Sequence, residues 1–167
     1  SLRDLVKFTL AMRPDRIICG EVRGAEAFEL SRAVNSGCGF ACTVHSNNAV
    51  EGLEALVNAS LMAGENVSEN IMRNIFSSAI DVVVHVDRDE NTTIDEGISR
   101  GVMQIVAVES NMSDSFTTTT LFSRDSLQDE LIFSGTIPDR LISRIEKSLP
   151  KDISLAKICS GEIKYLT

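Results

Sequence analysis

The sequence predicts an α/β domain that gives way, past its middle, to a small antiparallel sheet and terminal helices. Three observations carry that expectation. Two short apolar runs, residues 16–20 and 40–44, are separated by a segment with helical periodicity, the pattern of parallel strands joined by a crossover helix. Polar residues follow both runs at once, at Glu21 and His45, where open α/β sheets bind ligands. From Val102 onward, apolar stretches succeed one another without helices between them, as in an antiparallel meander.

Taken in order, Leu2, Leu5, Val6, Phe8, Leu10 and Met12 predict an amphipathic helix that stops before Pro14. Residues 16–20 read as a buried, parallel strand ending at Gly20. Helical spacing returns over residues 25–34 and ends at Asn35-Ser36-Gly37. A second buried strand covers residues 40–44. Val50, Leu53, Leu56, Val57, Ser60 and Leu61 share one helical face, with Gly64 as the stop. Ser68 caps a further helix through Ile71, Ile75, Ala79 and Ile80. Residues 81–86 read as a third strand that closes the first half. Residues 87–101, with Asn91-Thr92-Thr93, read as a loop. Strands are expected at 102–108, 115–122 and 131–133, then a helix at 138–149 with Pro138 in its first turn, and another at 153–159. The chain thus divides into two parts, residues 1–101 and 102–167.

Composition excludes several classes. The 167 residues are 43% hydrophobic, enough for one real core, yet no apolar run approaches the roughly 20 residues that cross a bilayer. Arg3, Asp4 and Lys7 interrupt any signal-peptide reading, and a first residue Ser1 already inside a helix suggests the chain begins within a longer protein. A net charge of −8 argues against direct nucleic-acid binding. Cys19, Cys38, Cys42 and Cys159 have no disulfide-framework spacing, and a reducing cytosol fits them best.

The chemistry sits at the two strand ends. Glu21 and Arg23 come after the first, while Thr43 and His45 close the second. A carboxylate, a guanidinium and an imidazole converging on one crevice suit phosphoryl chemistry. Singly, each has a plainer reading. A glutamate after a strand is usually solvated, a lone histidine there is usually structural, and Arg3, Arg13, Arg16, Arg23 and Arg32 would ordinarily be surface charges. Cys38, Cys42 and His45 also have a metal-like Cys-x₃-Cys-x₂-His spacing. In a strand, however, Cys42 and His45 point to opposite faces, and no fourth ligand is evident, so no zinc site is expected.

Residues 12–24, Met-Arg-Pro-Asp-Arg-Ile-Ile-Cys-Gly-Glu-Val-Arg-Gly, closely resemble the Walker B segment of secretion and pilus ATPases, nearest to the CpaF/TadA type of tight-adherence pilus systems. Asn35-Ser36-Gly37 and Thr43-Val44-His45-Ser46-Asn47-Asn48 resemble the histidine box of the same family. Leu61-Met62-Ala63-Gly64 and Ser78-Ala79-Ile80-Asp81 match family stretches beyond that box, and Gly135-Thr136-Ile137-Pro138 matches faintly. The resemblance implies the C-terminal half of a RecA-like P-loop NTPase domain. It implies Glu21 as the residue that polarises the attacking water and helps organise Mg²⁺, and His45 as a residue near the γ-phosphate of ATP. Arg23, Thr43 and Arg13 would face the nucleotide, with Asp15 on the flank. Its further implications are a ring hexamer, integral-membrane platform proteins as partners, and a place at the cytoplasmic face of the membrane. A conjugation or type IV secretion ATPase, a non-catalytic interaction module and a phosphate-binding non-ATPase are the rival readings. The sequence departs from the family in having no Gly-x-x-x-x-Gly-Lys-[Ser/Thr], in Cys38 where His is common and in Ala11 where Arg is frequent. Without the phosphate loop, this portion is expected to be inactive alone. Without the strand that precedes that loop, two sheet edges are expected to be open, which favours a non-native dimer over closure of residues 41–44 onto 82–86.

Overall fold

The computed structural model describes residues 1–88, 100–110 and 113–163. They form two compact units, one of residues 1–80 with 110 and 113–116, the other of residues 81–88 and 100–109 with 117–163.

In the first unit, α1 (Leu2–Ala11) opens with a reciprocal cap between Ser1 and Asp4, which satisfies two backbone donors that the first turn leaves over. It ends at Met12, and Arg13 comes next in the left-handed region at φ 55°, its N–H bonded to the Leu10 carbonyl at 3.0 Å. Pro14 then forbids continuation. Strands β1 (Arg16–Cys19) and β2 (Gly39–Cys42) pair in parallel, with Ile17 opposite Phe40 and Cys19 opposite Cys42. The crossover is α2 (Glu26–Asn35), after which Gly37 takes a positive φ of 80° that a side chain would strain. Asn48 and Ser68 cap α3 (Ala49–Leu61) and α4 (Glu69–Ala79) through their side chains. The core of the unit joins Ile17, Cys19, Leu30, Leu53, Val57 and Phe76.

Ile18 corrects one expectation. The first strand is parallel, as its apolar run predicts, but it is covered on one face only: Ile17 and Cys19 are buried while Ile18 is 83% exposed. Alternate strand residues point to opposite faces, so a single covering layer leaves every second one open.

The third strand is a second correction. β3 (Val82–Arg88) belongs to the other sheet, where it runs antiparallel to β4 (Arg100–Glu109), with β5 (Thr117–Ser123) and β6 (Ile132–Phe133) completing the order β3-β4-β5-β6. It is not closed onto β2; the two sheets are separate. The ends of the expected loop are strand, and residues 89–99 lie outside the described residues. The meander itself is as expected. Helices α5 (Asp139–Glu146) and α6 (Leu155–Cys159) are shorter than their apolar patterns suggest, and Pro138 caps α5 rather than joining its first turn. Ala107, Leu121, Leu141 and Leu155 form the core of this unit, with Ile105, Ile137 and Ile145 against it. Among the described residues no helix is long and apolar enough to cross a membrane.

Candidate functional site

Parallel pairing of β1 and β2 brings their carboxyl ends side by side, and the pairing outlasts the regular strands. The Val22 N–H bonds to the Thr43 carbonyl at 2.9 Å, and Thr43 Oγ1 donates to the Gly20 carbonyl at 2.5 Å. Glu21 and His45 are therefore held across from each other by backbone geometry.

Three of the predicted residues meet at one atom. Glu21 Oε1 lies 2.7 Å from Arg23 Nε and 2.8 Å from His45 Nε2. That oxygen is shielded from solvent, whereas the arginine and histidine side chains are largely exposed. The Arg23 guanidinium holds the Glu21 carboxyl below the usual carboxylate range; desolvation opposes it, and His45 adds to it. Glu21 is thus kept ionised at neutral pH, as suits a group that orients water or a cation rather than one that stores a proton. Thr43 lies beneath the cluster as its backbone tie. Arg13, at the end of α1, makes none of these contacts.

Two acidic residues carry more of the local structure than their sequence positions suggest. Glu26 is nearly buried, and its Oε1 accepts from the N–H groups of Arg23 at 2.7 Å and Gly24 at 3.0 Å. Glu29 is fully buried, with Arg3 Nε at 2.9 Å, Arg32 at 3.2 Å and Lys7 Nζ at 3.5 Å. Arg3 continues to Glu65 at 2.7 Å and to the Ala63 carbonyl at 3.3 Å, so one side chain links α1 to α2 and to the chain just past α3. Both glutamates open a helix and read in sequence as complements to its dipole. Only Arg32, three residues on, hinted in the sequence that Glu29 had a partner; Arg3 and Lys7 reach it from α1.

Cys38 precedes β2 and Cys42 ends it, and burial pushes the Cys42 thiol up to about 11, with Cys19 adding to the effect. Among the described residues no three His, Cys, Asp or Glu side chains gather as a metal site.

A family profile described as "Type II/IV secretion system protein" matches residues 1–116. The conjugal transfer protein TrbB of Rhizobium radiobacter is 33% identical over 115 residues, covering 68% of this chain and 32% of its own length. A putative conjugal transfer protein of Mycobacterium tuberculosis is 40% identical over 90 residues, covering 53% of this chain and 25% of its own. A solved structure, the VirB11 ATPase from the Brucella suis type IV secretion system in complex with sulphate, is similar with a TM-score of 0.54 at 26% identity, covering 63% of this chain and 31% of that one. The chain spans about a quarter to a third of the length of these proteins.

Proposed function

Because this chain belongs to the type II/IV secretion system protein family, we propose that it is part of an ATP-hydrolysing motor that powers secretion or pilus assembly. Its fold is the C-terminal half of a RecA-like α/β domain, continued by a small antiparallel sheet and helices. The observation that carries the functional reading is the convergence of Arg23 and His45 on Glu21 Oε1 at the carboxyl ends of two parallel strands.

The residues fit half of a Mg-ATP site. A shielded carboxylate oxygen, a guanidinium and an imidazole are a donor set for a metal-bound phosphate. The cradle of backbone N–H groups supplied by a phosphate-binding loop has no counterpart in this sequence. When bound, Mg-ATP supplies the electrophilic phosphorus and the metal's charge. Glu21, ionised, would orient the attacking water and would be the residue of this chain that helps hold Mg²⁺. His45 would offer its imidazole to a terminal phosphate oxygen, and Arg23 would neutralise negative charge beside it. Thr43 fixes the spacing of the two strands, while Arg13, the other residue the matching segment offers for the nucleotide, stays outside the cluster.

The complete protein would act as a ring hexamer at the cytoplasmic face of the membrane, pushing on integral-membrane platform proteins. The resemblance of residues 12–24 to the CpaF/TadA type supports pilus assembly. The names of the conjugal transfer and type IV secretion relatives favour a second reading, a conjugation or type IV secretion motor.

In the complete protein, Glu21→Gln is expected to bind ATP but to hydrolyse it about a hundredfold more slowly or worse, a barrier increase of about 3 kcal/mol. His45→Ala is expected to slow hydrolysis without unfolding. Full turnover in both variants would remove the assignment. This chain by itself is expected to bind Mg-ATP weakly or not at all in a calorimetric titration, and micromolar affinity in a monomer would mean the phosphate site lies elsewhere.

A further inference from the structure

Glu26 has no part in the Glu21–Arg23–His45 cluster, yet it is a carboxylate only 9% exposed, and no Lys or Arg among the described residues pairs with it. A charge in that position must be compensated by dipoles. The compensation is visible: the Arg23 N–H donates to Oε1 at 2.7 Å and the Gly24 N–H at 3.0 Å. Helix α2 has no side-chain cap at Ala25, so Glu26 reaches backward and gathers the amides that precede the helix. Burial pushes its carboxyl up, but the amides of Arg23, Glu26 and Gly24 outweigh burial and leave it below the usual range.

We propose that Glu26 is a positioning residue for the Glu21–Arg23–His45 cluster: by fixing the backbone of Arg23, it aims the guanidinium at Glu21. The chain of contacts is continuous. Glu26 holds the Arg23 N–H, the same residue's Nε lies 2.7 Å from Glu21 Oε1, and His45 shares that oxygen at 2.8 Å. Arg23 must double back over two residues to meet Glu21, a shape that a loose turn would leave unoccupied much of the time. Charge-assisted bonds to two consecutive amides pin the turn more firmly than a neutral acceptor could. The proposal concerns the geometry of the cluster and rests on the proposed ATPase function for its catalytic meaning.

The test uses this chain with Glu26→Gln, which keeps an oxygen acceptor without charge, and Glu26→Ala, which keeps neither. Nuclear magnetic resonance follows the Arg23 and Gly24 amides and the Arg23 Nε–H. In the unaltered protein, the two amides are expected to titrate together with the Glu26 carboxyl. In Glu26→Gln they move upfield, and solvent exchange at the Arg23 Nε–H quickens about tenfold, because the looser turn leaves the guanidinium away from Glu21 most of the time. In Glu26→Ala the exchange quickens further. Should Glu26→Ala not fold, Glu26→Gln decides alone. Unchanged Arg23 Nε–H exchange in a folded variant, whatever happens to its melting temperature, would reduce Glu26 to a helix cap and overturn the proposal. In the complete protein, Glu26→Gln is expected to lower kcat for ATP hydrolysis with little change in KM. If Glu21→Gln were to retain full turnover, the catalytic reading would fall while the exchange measurement still judged Glu26.

Discussion

Thr43 Oγ1 donates a 2.5 Å hydrogen bond to the carbonyl of Gly20, fastening the end of one parallel strand to the end of the other. Each partner directly adjoins the strand-end segment that carries a candidate catalytic side chain: Gly20 precedes Glu21, and Thr43 stands two residues before His45. Replacing Thr43 with Val keeps the shape and removes the bond. The cost in stability is expected to be about 1 kcal/mol or less, because the group is exposed and water can replace it. In the complete protein, hydrolysis is expected to fall further than stability does. Denaturant unfolding and a turnover assay on the same variant compare the two, and turnover at the unaltered level would show that the tie is not needed for catalysis.

Acid should erase the contribution of Glu21. Its folded carboxyl lies below the ordinary value near 4.3, so its stabilising effect is complete above that value and disappears as pH falls through the folded one. The melting-temperature gap between the unaltered protein and Glu21→Gln is expected to be constant above about pH 5.5 and to shrink below it. A gap that widened in acid would contradict the ion-pair geometry.

Arg73 supports the other end of the first unit. Its side chain is almost buried between α3 and α4, bonded to Glu54 at 2.9 and 3.2 Å, to Glu69, and to Asn70 Oδ1 at 3.1 Å. Arg73→Met fills similar space but leaves two carboxylates without their cation. A loss of about 2 kcal/mol is expected in urea unfolding, less than for a fully buried pair because Glu69 can rehydrate. No loss at all would mean that packing, not charge, holds the two helices.

Strand β3 presents Val82, Val84 and Val86 to solvent on one face, and it has a strand partner on one edge only among the described residues. Such an edge recruits further strands. The isolated chain is expected to form a dimer or larger species at low micromolar concentration by light scattering. Val84→Lys is expected to shift it toward monomer while changing stability by only about 0.5 kcal/mol, as an exposed substitution. A strictly monomeric unaltered chain would dismiss the association.

The meeting of Glu21, Arg23 and His45 was foreshadowed in the sequence because parallel strands line up their carboxyl ends, and a polar residue directly after a short apolar run has few other places to go. The exposure of Ile18 was not, since an apolar run carries no information about whether both covering layers are present. Residues 81–86 read alike in a parallel or an antiparallel sheet, and the choice is made by β4, whose residues 102 and 104–107 pair with 82–86 from farther along the chain. Glu29 looks like an ordinary first-turn acid, because the cation closest to it, Arg3, arrives from 26 residues away. Arg13 belongs to the same matching segment as Glu21, yet sequence proximity does not bring its side chain into the cluster.

The chain holds two histidines, and they fall one to each compact unit, His45 beside Glu21 and His85 within β3. Each ring contributes one Hε1 line, and once the amides have exchanged in heavy water these two lines stand downfield of the other aromatic protons. One line reports on the strand ends of the first unit and the other on the open strand of the second, so nucleotide titration and self-association can be watched in a single unlabelled sample and told apart.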